Sequence, residues 1–185
     1  WLPFIVLLLG CHGQRSDQSV KGELHDKSNS SFYELLEQLP AVKIPLTFRS
    51  DREFGSPKIN DDLRARLMAS DEGFNPYGKV YQSDKFIAVI AIGAADIVMP
   101  VLVTFNKEGR IIDSFNLYQT AGGDIGYYST NITRLTKDKE ILMTDSAVTR
   151  KLNKEGTDEV PGSDSVTISQ KKFRINANGG IEEMR

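Results

Sequence analysis

Apolar and polar positions along this chain change period once, from helical to extended. Leu35, Leu36 and Leu39 recur at helical spacing. Ser31-Phe-Tyr-Glu34 precedes them in the form of a capping box, and Pro40 follows as a stop. Asn60 or Asp61 can cap a second helix, in which Leu63, Leu67 and Met68 keep that spacing. Between the two, Pro45-Leu-Thr-Phe48 reads as a short extended segment. From Lys79 onward the period is two. Residues 86–92 are apolar throughout, which covers both faces and marks a central strand. Residues 98–105, 110–118, 127–135, 140–152 and 165–176 continue the series, and 181–184 adds a last short strand.

Turn chemistry supports the same picture. Asn106-Lys-Glu-Gly109, Asn153-Lys-Glu-Gly156 and Asn176-Ala-Asn-Gly179 share the form Asn-x-x-Gly between β-like runs. A type I turn followed by glycine at positive φ explains that spacing. A calcium loop would need carboxylates at alternate positions, which these loops lack. The segment 157–164, with Asp158, Glu159 and Asp164, is richest in acids and reads as a solvated loop. One strand carries a phase conflict: Val166 and Ile168 are even, Phe173 and Ile175 odd. A bulge near Gln170–Lys172 would return them to one side. The expected fold is mainly β, of the α+β kind. One or two short N-terminal helices precede an antiparallel meander of six to eight strands, in a single domain over residues 31–185.

Ahead of the domain, Leu2 to Leu9 is uncharged and mostly large and apolar, and Cys11, the sole cysteine, follows Gly10. The run is too short for a spanning helix and reads as the h-region of a signal peptide. Since residue 1 is Trp, a basic n-region is expected to precede it. Leu8-Leu9-Gly10-Cys11 resembles the lipobox of bacterial lipoproteins. That resemblance implies cleavage after Gly10 and acylation of Cys11. It also implies anchoring to a lipid bilayer of the cell envelope, with inner or outer membrane left open. Several acyl chains at about 0.8 kcal/mol per buried methylene make such an anchor stable. Residues 11–30 are polar and mixed in charge, as a disordered tether would be. Past the signal, the domain resembles small envelope lipoproteins.

Composition narrows the chemistry. The net charge of −2 comes from 23 basic and 25 acidic residues, interspersed along the chain. A nucleic-acid partner would need a basic excess. Both histidines, His12 and His25, fall in the tether, so the domain has no histidine and no cysteine. Ser-His-Asp and Cys-His catalysis and the usual zinc sites therefore have no ligands or bases to use. No metal or cofactor is expected. Paired carboxylates remain open to a small hydrolase, with Asp96, Asp113, Asp124 and Asp145 beside apolar stretches. Asn131-Ile-Thr133 and Asn29-Ser-Ser31 match a glycosylation pattern by chance in a bacterial setting.

The stretch Ala121-Gly-Gly-Asp-Ile-Gly-Tyr-Tyr128 stands apart. Three glycines in five residues allow a tight bend or a close backbone approach. No Gly-Lys-Ser/Thr follows, so it is not a phosphate loop. Tyr127 and Tyr128 alternate faces if they enter a strand, and tyrosine suits contact surfaces. Tyr118 lies near enough in sequence to join an aromatic patch. Gly122, Gly123, Asp124, Tyr127 and Tyr128 are thus the candidate binding residues. The expectation is a membrane-anchored envelope lipoprotein that binds a protein or small ligand without catalysis. A carboxylate hydrolase and a structural or assembly lipoprotein without a ligand pocket are the rivals.

Overall fold

The computed structural model describes residues 32–53, 55, 59–69, 75–93 and 99–184. The expected signal peptide, Cys11 with its tether, the cap at Ser31, and Asp96 lie outside them. Helix α1 covers residues 32–37. Strand β1 (Leu46–Arg49), helix α2 (Asp61–Met68), and strands β2 (Pro76–Gln82), β3 (Phe86–Gly93), β4 (Met99–Asn106) and β5 (Ile111–Asn116) follow. The chain continues as β6 (Gly122–Asp124), β7 (Tyr127–Leu135), β8 (Glu140–Thr149), β9 (Ser165–Ile175) and β10 (Ile181–Glu183).

The mainly β, antiparallel meander expected from the pattern is what forms. Of the ten strands among the described residues, β2 and the three-residue β6 add to those the apolar pattern marks. A four-stranded sheet runs β2-β3-β4-β5, and a six-stranded sheet runs β1-β7-β8-β9-β10, with β6 also on β7. Phe32, Leu36 and Leu39 from the α1 region and Leu63 and Leu67 of α2 cover one face of the four-stranded sheet, against Ile87, Val89, Val103 and Phe105. The opposite face presents Phe86, Ala88, Ile90 and Leu102 to Leu135, Ile141, Met143 and Phe173 of the six-stranded sheet. The molecule is therefore three layers deep, and β3 is buried on both sides because every one of its first six residues is apolar. Full burial of each large side chain there contributes roughly 1.5–3 kcal/mol.

Caps and turns set the ends. The Asn60 side chain accepts from the Asp62 amide at 2.8 Å and starts α2. Leu63 and Leu67 face the core, whereas Met68 projects to solvent. The three Asn-x-x-Gly segments are hairpin or loop turns, each with the glycine N–H donating to the asparagine carbonyl at 3.0–3.1 Å. A fourth turn of the same shape uses Thr136 and Lys139, with Lys139 at φ 61° where the others place glycine.

The expected bulge in β9 is corrected, and β5 carries a slip of its own. Strand β9 pairs with β8 without interruption from Ser165↔Thr149 to Arg174↔Glu140, so no bulge forms at Gln170–Lys172. Phe173 and Ile175 face the core, and Val166 and Ile168 point out of the opposite face, 60% and 64% exposed. Along β9 the core ends at Phe173, while Met143 on β8 and Asn131 and Ser129 on β7 stay buried further on; the far ends of the three strands form a rim. In β5 the pairing with β4 slips at Ile112, which has no partner between Ile111↔Phe105 and Asp113↔Thr104. Asp113 therefore shares the core-ward side with Phe115 but not with Ile111.

Candidate functional site

The rim carries the glycine-rich stretch. There β6 pairs with the start of β7 through Gly122↔Ser129, Gly123↔Tyr128 and Asp124↔Tyr127. Ile125 and Gly126 make the turn, and Gly126 takes a φ of 76°, which glycine adopts without strain. The Asp124 carboxylate accepts from the Ile125 amide at 2.7 Å and fixes the tip. A Cβ on Gly123 would lie 3.2 Å from Tyr128 Cδ2, so the missing side chain is what lets the ring lie beside β6. Tyr127 and Tyr128 leave opposite faces of β7, as expected, and are 41% and 50% exposed.

Residues 150–164 wall this tip. The Arg150 amide donates to the Gly126 carbonyl at 2.9 Å. The Gly126 amide in turn donates to Glu159 Oε1 at 3.1 Å. Arg150 Nη1 reaches Glu159 Oε2 at 2.6 Å, and its Nε donates to Asp164. Asp164 and Glu159 hold the guanidinium charged well above its ordinary range. Arg150 and the Gly126 amide together keep the Glu159 carboxyl below the usual carboxylate range. The acid-rich loop is thus folded back around one arginine. Asp158 stays within its own turn, accepting from Thr157 Oγ1 at 3.0 Å.

Tip and wall enclose an open cleft of about 470 Å³. Gly123, Asp124, Tyr127 and Tyr128 line it, together with Gly126, Val148, Arg150 and Glu159. Four of the five residues singled out from the sequence come together here. Gly122 is exposed on β6 and outside the lining. Val148, Arg150 and Glu159 are the residues sequence reasoning missed. Val148 could be found by counting strand alternation back to Tyr128, its cross-strand partner. The Arg150–Glu159 pair depends on how the loop returns, and no spacing in the sequence marks it. Tyr118 does not join the patch: it is 4% exposed, within the core between the sheets.

The candidate carboxylates disperse. Asp113 is taken up by backbone, accepting from the Ser114 and Ile181 amides at 2.8 Å each, and so ties β10 to β5. Asp145 sits in a separate, smaller cleft of about 80 Å³ with Thr120, Asn131 and Lys171. There its Oδ1 accepts from Thr120 Oγ1 at 2.6 Å, Ser129 Oγ at 3.0 Å and Asn131 Nδ2 at 3.1 Å. Asn131 Oδ1 accepts the Gln119 and Thr120 amides at 2.9 and 2.8 Å. With its side chain so engaged and 1% exposed, Asn131 offers no glycan acceptor in the folded domain. Asp124 lines the larger cleft, so no two of the three described aspartates face one another across either. Comparison with family models, with curated proteins and with solved structures returned no match.

Proposed function

We propose that this chain is a bacterial envelope lipoprotein, anchored through acylated Cys11, whose folded domain binds a protein or small ligand without catalysing a reaction. The observation that carries the binding assignment is the cleft at the β6–β7 tip. Residues marked by glycine content and paired tyrosines form one wall, and an arginine with two carboxylates pins the other. Aromatic area with polar tips beside fixed charges is the composition of a recognition surface. The cleft supports this reading over a purely structural lipoprotein. Against a carboxylate hydrolase, Asp113 has both oxygens on backbone amides, Asp124 and Asp145 occupy different clefts, and Glu159, which shares the cleft with Asp124, has its oxygens on the Gly126 amide and Arg150.

Two measurements test the reading. The anchor predicts that a labelled fatty acid fed to bacteria producing the chain is incorporated by wild type and not by Cys11→Ser; equal labelling refutes it. The cleft predicts that envelope components captured by the wild-type chain are lost from the Tyr127→Ala, Tyr128→Ala double variant. Both tyrosines are half exposed, so the variant keeps its core. Equal recovery by a folded variant moves the binding surface elsewhere.

A further inference from the structure

We propose that the cleft at the β6–β7 tip recognises an organic ammonium group, held between the Asp124 carboxylate and the Tyr127 ring. The group is carried either by a small amine or by a lysine side chain of a partner. The inference rests on the cleft being the binding site and adds the chemical class of what enters it.

Charges in and behind the lining are unevenly matched. Arg150 gives Nη1 to Glu159 and Nε to Asp164, so one guanidinium serves two carboxylates. Glu159 has both oxygens engaged, on the Gly126 amide and on Arg150. Asp124 is different. Its Oδ1 accepts from the Ile125 amide, and no cation among the described residues pairs with it. All three residues of β6 are exposed, so this carboxylate is open to an incoming group. An anion entering the cleft would meet three carboxylates and a guanidinium already taken. A cation meets a carboxylate that lacks a partner, which is the complementary arrangement.

What stands beside Asp124 says which cation. Asp124 lies directly opposite Tyr127 in the β6–β7 ladder. Side chains so opposed leave the same face of the sheet, with Cβ atoms about 4.5–5.5 Å apart. A cation on the carboxylate is then within the roughly 6 Å over which an aromatic ring attracts it. The Tyr127 ring is itself half exposed and so able to receive one. A divalent metal ion would need about six oxygen ligands. Among the described residues no three histidine, cysteine, aspartate or glutamate side chains converge to supply them. The cleft, at about 470 Å³, has room for a carbon-bearing group instead. Charge, ring and volume thus agree on an organic ammonium.

Titration of the isotope-labelled full chain in detergent with n-butylammonium, followed by amide chemical shifts, tests this. The amides of Gly123, Asp124, Gly126 and Tyr127 should move and saturate with a Kd of roughly 1–10 mM, the strength of one exposed ion pair and one cation–π contact. Butyrate, n-butanol and methyl glucoside at equal ionic strength should leave them in place. Asp124→Asn keeps an oxygen for the Ile125 amide and removes the charge, and should weaken binding about two- to fivefold. Tyr127→Leu keeps apolar area and removes the ring, and should weaken it about two- to fivefold as well. Both side chains are at the surface, and the amide spectrum itself reports that each variant is folded. A short peptide with one lysine that binds more tightly than n-butylammonium upholds the class with a protein as its source; equal affinity upholds it with a small amine. Butyrate or methyl glucoside binding in place of the ammonium, ammonium binding indifferent to both variants, or no shift with any probe would each overturn the proposal. The capture comparison with the Tyr127→Ala, Tyr128→Ala variant stands apart from these outcomes: loss of capture there keeps the cleft as the site even where the ammonium fails.

Discussion

Gly156 and Gly179 hold the same place in the same Asn-x-x-Gly turn, with φ of 71° and 94°, yet their surroundings differ. A Cβ on Gly156 meets open space, whereas one on Gly179 would lie 2.7 Å from Ile112 Cδ1 and 3.1 Å from Phe86 Cβ. Gly156→Ala should cost only the left-handed backbone penalty, about 1 kcal/mol. Gly179→Ala adds overpacking against a buried phenylalanine, for a total of about 3 kcal/mol. Denaturant melts of the two variants measure the difference; equal losses would mean the neighbours of Gly179 yield freely. Lys139 shows that the turn tolerates a side chain at this position. Its ammonium sits 5.2 Å from the Phe86 ring centre, a contact that offsets part of its own φ of 61°. The motif thus reports the turn, but the weight of each glycine depends on what packs over it.

At the scale of elements, local pattern is sufficient where one element's faces decide the matter. Residues 86–92 are apolar at every position, and only a strand between two layers can bury all of them. Helix α2 starts at Asn60 because its side chain supplies the orphan amide with an acceptor. Strand β9 departs from its expected bulge for an equally physical reason. The conflict between Val166–Ile168 and Phe173–Ile175 is not a defect to be absorbed, because the strand outruns its core and its apolar side chains change face. The wall of the cleft was invisible because Arg150 and Glu159 meet only through the path of a loop. Tyr81 on β2 and Tyr118 after β5 both lie at the seam between the sheets. Burial pushes each phenol up to about 12, and Tyr81 donates to the Thr136 carbonyl at 2.6 Å. The unfolded phenol ionises near 10, so their contribution is complete below that pH and is lost as pH rises through about 12. A tyrosinate absorbance titration should show Tyr81 and Tyr118 ionising late, together with the loss of β-sheet circular dichroism. Ionisation of these two near pH 10 on a folded protein would contradict it.

Across the whole molecule, most strand pairs are hairpins between neighbours in sequence, as in β2-β3-β4-β5 and β7-β8-β9-β10. Strand β1 is the exception, for its partner β7 comes from far along the chain, with Phe48 opposite Thr133. Hairpins close short loops, and β1 must close a long one, which costs more chain entropy before any contact forms. The order of assembly follows: both meanders form early, and β1 docks onto β7 last. The same edge is then the first to open in the native state. Hydrogen exchange should find the bonded amides of β1 unprotected well before those of Ile87–Ala91, and Phe48→Ala should speed unfolding more than it slows folding. Uniform protection across β1 and β3 would show instead that the molecule opens only as a whole.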